Sequence, residues 1–162
     1  MTQEPRITLV AEDKRSFLDL LLLADEQEDM IDHYLDRGDL FVMAVGDSPV
    51  AVCVVTDEDD GLFEIQNLAV RTDHQRHGYG TQMLAYVADY YRDKSRTLIV
   101  GTGDSPITVP FYEHCGFALS RRGPRGIVDA YDHPIVENGI QLIDKVYLTK
   151  DMSPSGRTIQ SS

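Results

Sequence analysis

Three apolar runs of strand length follow one another in the first half of the chain, and they limit the possible folds more than any other feature. They cover residues 40–45, 50–56 and 62–70. Turn-forming stretches that contain glycine separate them, at residues 46–49 and 57–61. Short apolar runs joined by such turns usually pair with their neighbours, so the pattern predicts an antiparallel meander.

Helices are predicted before and after this meander. A strand at residues 6–10 is followed by helical spacing of apolar residues over 14–37, which predicts two helices ended by Gly38 in a left-handed cap conformation. Residues 78–94 place their apolar side chains on one helical face. Helices are therefore expected both before the first strand and after the last strand of the meander.

The second half of the chain predicts a strand, a helix and further strands. The strands are expected at residues 97–101, 117–120 and 140–149, with a long irregular connection before the last one. The helix is expected over 105–114, with Ser105 as its N-cap, a bend or weakening at Pro110 and a stop at Gly116. Together the elements predict a single α+β domain in three layers over residues 1–152, and a polar tail at 153–162.

Composition excludes several classes of protein. The 42% hydrophobic and 26% charged content is that of a soluble globular domain, and no apolar run approaches the roughly 20 residues of a membrane helix. A formal charge of -12 opposes binding to nucleic acid or to anionic lipid. The start of the sequence lacks the pattern of a secretory signal, so we expect a cytoplasmic protein. The histidines and cysteines show no metal-ligand spacing, so no metal is expected.

The segment that indicates chemistry is the strand ending at residue 70, a loop with Gly78 and Gly80, and the following helix. This order places free backbone N–H groups at a helix N-terminus, where anions bind. A simple turn would use the same glycines. The Walker motif is absent, and a dinucleotide fingerprint would need a small residue where Met83 stands. A nucleotide-binding α/β protein, which ATP or NAD would stabilise, nevertheless stays open at this point.

Two motifs resemble the signatures of the GNAT acyltransferase superfamily. The first resembles its Q/R-x-x-G-x-G/A pattern and consists of Leu68, Ala69 and Val70 followed by Gln75, Arg76, His77, Gly78, Tyr79 and Gly80. The second, at residues 110–117, resembles the short family helix that carries Phe-Tyr and ends in Gly-Phe. The resemblance implies a mixed, mostly antiparallel twisted sheet of about seven strands with flanking helices, and acetyl-CoA at the splay between the central strands.

The resemblance also implies how acetyl-CoA is held. Backbone N–H groups of residues 76–81 would bind the pyrophosphate, and the main chain of Leu68 and Val70 would pair with the pantetheine arm. A backbone N–H near Ala69 would polarise the thioester carbonyl. Ser105 stands where the family often has asparagine. The implied cofactor contacts are Leu68, Ala69, Val70, Gln75, Arg76, His77, Gly78, Tyr79, Gly80, Thr81, Ser105 and Phe111.

Two side chains are candidates for proton transfer. Tyr112 matches the tyrosine that protonates the departing thiolate in similar enzymes, and a packing tyrosine is the alternative. Glu64 lies where some members carry a catalytic base that takes a proton from the amine. A carboxylate on the exposed strand face is the alternative for Glu64, and proton removal could also pass through water.

The resemblance implies direct transfer, in a ternary complex, of an acetyl group to a primary amine of a small molecule or peptide. Ten acidic residues over positions 12–39 favour a cationic acceptor, although a solvated acidic surface would have the same composition. A non-catalytic acyl-CoA sensor or assembly module on the same fold is the alternative function. Family members often form homodimers, and residues 131–144 resemble the tail of a bacterial subset of the family.

Overall fold

The structure, a computed structural model, describes residues 4–137 and 139–152 of the 162-residue chain. It divides into two compact units, one that ends at residue 94 and one that begins at residue 95. The predicted single domain over residues 1–152 stays a prediction. Its predicted polar tail, 153–162, lies outside the described residues.

Four antiparallel strands form the sheet of the first unit, which confirms the predicted meander. In both chain order and spatial order they are β1 (Pro5–Val10), β2 (Asp39–Val45), β3 (Ser48–Asp57) and β4 (Leu62–Val70). Cys53 of β3 is paired with Phe41 of β2 on one side and with Leu68 of β4 on the other. The register of β3 and β4 shifts between Val54 and Val55, so β4 carries an extra residue, Gln66, at that point.

Helices cover both faces of these strands. The segment between β1 and β2 forms a 3-10 turn (Lys14–Phe17), α1 (Leu18–Ala24) and α2 (Glu28–Asp32), whose apolar side chains pack with Leu40, Val42 and Val54. The helix after β4, α3 (Tyr79–Tyr90), buries Met83, Leu84 and Val87 and packs on β3 and β4. Because both faces are covered, β2 and β3 are apolar almost without interruption.

The φ of Gly38 is not among the positive φ values of the described residues, so this glycine does not adopt the predicted left-handed conformation. Its N–H donates to the carbonyl oxygen of Tyr34 at 3.0 Å. A Cβ at this position would lie 2.7 Å from Cγ1 of Val54 and 3.0 Å from the oxygen of Tyr34. The glycine is therefore required by close packing of the chain onto β3.

Three antiparallel strands form the sheet of the second unit. They are β5 (Thr97–Gly103), β6 (Ala118–Gly123) and β9 (Lys145–Asp151), with β9 between the other two. The helix α4 (Thr108–His114) joins β5 to β6. Between β6 and β9 lie α5 (Gly126–Ala130) and a hairpin of β7 (Ile135–Glu137) and β8 (Ile140–Leu142).

Several predicted boundaries in this unit were wrong. The strand expected over 140–149 is two strands, β8 and β9, and the connection expected to be irregular contains α5 and β7. The helix expected from residue 105 begins at Thr108, so Pro110 lies in its first turn. The N–H groups of Val109 and Phe111, on either side of Pro110, donate to the carbonyl oxygens of Ser105 at 3.2 Å and Ile107 at 3.3 Å. Proline has no N–H and removes the bond that would lie between these two, so the predicted weakening at Pro110 holds.

Within residues 4–137 and 139–152, no helix is long and apolar enough to cross a membrane. In the same part of the chain, no group of three or more His, Cys, Asp or Glu side chains is placed to hold a metal ion.

Candidate active site

The loop between β4 and α3 turns sharply through two left-handed residues. Arg76 has a φ of 68° and Gly78 a φ of 78°. For a residue with a side chain this conformation costs about 1 kcal/mol, and such strain concentrates at functional sites. The Gln75 side chain donates from Nε2 to the carbonyl oxygen of Val70 at 3.2 Å and ties the loop to the end of β4. The sequence-predicted residues 75–78 are thus held in one turn beside Val70.

This turn leads directly into α3 and leaves open space beside Gly78. The N–H of Gln82 donates to the oxygen of Gly78 at 3.0 Å, so the N–H groups of Tyr79 and Gly80 precede the first i to i-4 bond of the helix. A Cβ built on Gly78 has no atom within 4 Å. Thr81 is exposed in the same first turn. A helix N-terminus with unobstructed backbone is suited to an anionic group such as a phosphate.

Aromatic rings line the same loop. The rings of His77 and Tyr79 are stacked with centroids 5.5 Å apart, and the His74 ring lies 6.4 Å from that of Tyr79. Nδ1 of His74 lies 2.9 Å from Oδ1 of Asp73, and this hydrogen bond lowers the pKa of the Asp73 carboxyl. The side chains of Arg76 and His77 are exposed in this loop.

Strand β4 alternates between buried and half-buried residues. Glu64, Leu68 and Val70 belong to the half-buried series, whereas Ala69 is buried. Glu64 is paired across the strands with Thr56. Glu64, the candidate base, is therefore half-buried like Leu68 and Val70, whose main chain was expected to contact the cofactor. It is not a fully exposed carboxylate.

Tyr112 is buried in the second unit, on α4. Its ring is in edge contact with those of Phe111, at 5.1 Å, and Phe117, at 5.6 Å. The helix ends as predicted at Gly116, whose φ is 96°. The N–H of Phe117 donates to the oxygen of Tyr112, and the N–H of Gly116 donates to that of Glu113, both at 3.0 Å. These bonds form a glycine C-cap that ends α4 two residues after Tyr112.

Ser105 caps the other end of α4. Its side chain is buried, and Oγ accepts from the N–H groups of Ile107 at 3.1 Å and Thr108 at 3.2 Å. The same hydroxyl donates to Oε1 of Glu137 at 2.7 Å, and the Thr108 hydroxyl donates to that oxygen at 2.9 Å. A contact between Ser105 and a cofactor would have to exchange with the bond to Glu137.

Sequence reasoning missed two residues beside these elements. Glu137, on β7, holds the start of α4 although it lies about 30 residues away in the chain. The only local signal for it was the dipeptide at 138–139, Asn-Gly, which favours a hairpin. Asn67 is buried next to Leu68 on β4, and its Nδ2 donates to the Leu21 oxygen at 2.9 Å. The sequence signal for Asn67 was a polar residue inside the apolar run at residues 62–70.

Comparison with known proteins assigns this arrangement to a family. The family model described as "Acetyltransferase (GNAT) family" matches residues 8–117. An uncharacterized N-acetyltransferase of Bacillus subtilis strain 168, YvbK, is 35% identical over 152 residues, which cover 93% of this chain and 98% of that protein.

Solved structures agree with the fold. A GNAT family acetyltransferase from Elizabethkingia anophelis with acetyl-CoA bound is 32% identical, has a TM-score of 0.86, and matches over 91% of this chain and 97% of its own. A Bacillus subtilis acetyltransferase in complex with CoA is 35% identical, has a TM-score of 0.83, and matches over 91% and 99%. The predicted family and α+β fold class are thereby confirmed.

Proposed function

Because the chain belongs to the GNAT acetyltransferase family, we propose that it transfers an acetyl group from acetyl-CoA to a primary amine of a small molecule or peptide. The observation that carries this proposal is the turn over residues 75–81, where two left-handed residues lead into the start of α3 and a Cβ built on Gly78 meets no atom within 4 Å. The acetyl-CoA and CoA bound in the two similar solved structures support the same donor.

The turn would bind the CoA pyrophosphate through backbone N–H groups and the dipole of α3, with side chains in a secondary role. The main chain of Leu68 and Val70 would pair with the pantetheine amides. A backbone N–H near Ala69 would stabilise the negative charge that develops on the thioester oxygen. Phe111 and Ser105 remain proposed contacts from α4 and the residues before it.

The reaction would proceed by direct attack in a ternary complex. An alkyl amine, with a pKa of about 10.4, is mostly protonated near pH 7, so Glu64 would remove a proton directly or through water. The amine nitrogen would bond to the acetyl carbon, and the C–S bond would then break. Tyr112 would give its phenolic proton to the leaving sulfur. The products would be the N-acetylated amine and free CoA.

Two glycines provide a matched test of the cofactor site. Gly78 and Gly139 have φ values of 78° and 79°, and a Cβ on either meets no atom within 4 Å. Each of the two alanine variants should therefore lose about 1 kcal/mol of unfolding free energy. Only Gly78→Ala would place a methyl group against the pyrophosphate. We expect it to raise the KM for acetyl-CoA about tenfold, as for the loss of one charge-assisted hydrogen bond.

The measurement is steady-state thiol release with a broad panel of amines, together with the thermal shift that acetyl-CoA induces. Equal KM values for the two alanine variants would contradict the backbone site. A thermal shift without thiol release from any amine would favour the non-catalytic acyl-CoA module instead. A cytoplasmic location and a homodimer are further parts of the proposal, and light scattering after gel filtration tests the second.

A further inference from the structure

Two cationic side chains share one aromatic ring on the sheet of the second unit. The guanidinium carbon of Arg121 lies 3.9 Å from the centroid of the Tyr147 ring, and Nζ of Lys145 lies 5.3 Å from it. Arg121 is directly opposite Tyr147 across β6 and β9, and Lys145 is two residues before Tyr147 on β9. We call Arg121, Lys145 and Tyr147 the cationic platform.

Arg121 and Lys145 differ from the neighbouring Arg122 because they have no carboxylate partner within the described part of their own unit. Among the described residues from 95 to 152, none forms an ion pair with Arg121 or Lys145. The neighbouring Arg122, by contrast, bridges Asp104 at 2.6 Å and Asp144 at 3.0 Å. The chain has 27 acidic and 15 basic side chains. Two adjacent cations that share one ring and lack an acidic partner there are suited to an external anion.

Glycines on neighbouring elements keep the platform in position. A Cβ on Gly101 of β5 would lie 2.5 Å from Cε of Lys145 and 2.8 Å from Cε1 of Tyr147. A Cβ on Gly126 of α5 would lie 2.6 Å from Cβ of Lys145. The side chains of Lys145 and Tyr147 thus lie against the backbone of β5, in space that a larger residue at Gly101 would fill. The Lys145 ammonium is held by its surroundings and is not a freely moving surface charge.

The platform and α4 occupy opposite faces of the three strands. Lys150 donates from Nζ to the oxygen of Cys115 at 3.2 Å and so faces the end of α4. Side chains alternate along a strand, and Lys145 and Tyr147 therefore point to the other face. The proposed function places the CoA thiol beside Tyr112 of α4 and its pyrophosphate at the start of α3. Neither group accounts for the platform, but an acceptor that approaches the thioester from the face left open by CoA would meet it.

We propose that the cationic platform binds the carboxylate of an acceptor that carries both an amine and a carboxylate, as amino acids do; this rests on the proposed acetyl transfer. A guanidinium matches a carboxylate with two parallel hydrogen bonds, and the Lys145 ammonium adds a second donor. The Tyr147 ring holds both cations in place without neutralising them. Such an acceptor differs from the purely cationic amines that the acidic stretch at 12–39 favoured.

Matched acceptor pairs test the platform. Thiol release is measured with a broad amine panel that includes phenylalanine with phenethylamine, and lysine with cadaverine. The proteins are the wild type, Arg121→Gln, Lys145→Met and the control Arg122→Gln, which removes a paired cation from the adjacent position. We expect the wild type to prefer the carboxylate-bearing member. Each platform variant should raise the KM for that member about tenfold and leave kcat and the KM for the partner amine unchanged.

The 3′-phosphate of CoA is the other source of an anion, and acetyl-dephospho-CoA separates the two. Platform variants that raise the KM for acetyl-CoA, but not for its dephospho form, would overturn the proposal. Turnover confined to amines without an anionic group, or an equal effect of Arg122→Gln, would do the same. If no amine releases thiol, the proposed transfer itself fails. Calorimetry with N-acetylphenylalanine and N-acetylphenethylamine then tests the platform alone, and equal binding of the two contradicts it.

Discussion

Three buried polar side chains join the helices α1 and α2 to strand β4. Nδ2 of Asn67 donates to the carbonyl oxygen of Leu21 at 2.9 Å and to the Tyr34 hydroxyl at 3.0 Å. That hydroxyl donates to Oδ2 of Asp25, also at 3.0 Å. A carbonyl oxygen can only accept, so the orientation of the Asn67 amide is fixed and the three bonds run in one direction. The network sets the distance between the helix pair and the strand that carries Leu68.

Removing the hydroxyl at the centre of this network should destabilise the protein. Tyr34→Phe keeps the ring but deletes one acceptor and one donor in a buried place, which costs about 1–3 kcal/mol. Tyr86→Phe is the control, since Tyr86 is 39% exposed on α3. Urea unfolding of both variants measures the effect. An equal change in the two free energies of unfolding would show that the network contributes nothing.

Tyr112 is the residue at which structure and proposed chemistry meet most directly. Tyr112→Phe keeps the edge contacts with Phe111 and Phe117 but cannot donate a proton to the leaving thiolate. We expect kcat to fall about 100-fold, while the thermal shift induced by acetyl-CoA is retained. Steady-state thiol release and thermal unfolding measure the two effects, with Tyr86→Phe again as control. An unchanged kcat would assign Tyr112 to packing only.

At the scale of elements, the hairpin β7–β8 supports α4 through Glu137. Glu137→Ala would leave the Ser105 and Thr108 hydroxyls without their shared acceptor and should lower the free energy of unfolding by about 1 kcal/mol. Glu137→Gln keeps an acceptor oxygen and should recover most of this loss. Urea unfolding of the two variants checks the prediction, and equal losses would show that charge, not acceptance, is what Glu137 contributes.

The sequence predicted those elements whose burial leaves a periodic pattern. Strands β2 to β4 and helix α3 were recognisable because one or both of their faces are apolar over six or more residues. The short elements α5, β7 and β8, of three to five residues each, are too short to show a period. Gly38 was correctly placed at a boundary but for the wrong reason, since its contacts with Val54 come from another strand.

The candidate site was predictable to a similar degree. Residues 75–81 carry a motif because backbone geometry there demands glycine, and this demand is visible in the sequence. The support of α4 by Glu137 and of β4 by Asn67 depends on pairs far apart in the chain, for which no local pattern exists. The sequence likewise identified Arg121 and Lys145 only as charges, because their common contact with Tyr147 depends on strand register.

At the scale of the whole molecule, acidic side chains dominate and several are stabilised in their ionised form. The N–H of Arg125 and the side chain of Arg122 hold the pKa of Asp144 below its ordinary value. A hydrogen bond from the Thr56 hydroxyl, followed by the Arg37 side chain, lowers the pKa of Glu58. A carboxyl group whose pKa is lower in the folded than in the unfolded state stabilises the fold at pH values above its unfolded pKa. This contribution is lost as the pH falls through the folded pKa.

This sign gives a testable pH dependence. Asp144→Asn should be less stable than the wild type at pH 7, and the difference should shrink as the pH falls below the ordinary aspartate value of 3.8. Asp47→Asn, in the exposed β2–β3 turn, removes the same charge without these partners among the described residues. Urea unfolding of the three proteins at pH 7 and pH 3 provides the measurement. A difference that grows toward acid would contradict the assignment.

Helices pack on both faces of β2 and β3, and the order of these helices in the chain matters during synthesis on the ribosome. The helices α1 and α2 precede the meander in the chain, so one face can be covered as soon as β4 has emerged. The other face, with Phe41 and Phe63, is covered by α3 residues that are translated later, and Tyr91 completes its ring contacts with both. Until residue 91 leaves the exit tunnel, the nascent chain displays an apolar sheet face, which is the kind of surface that chaperones bind.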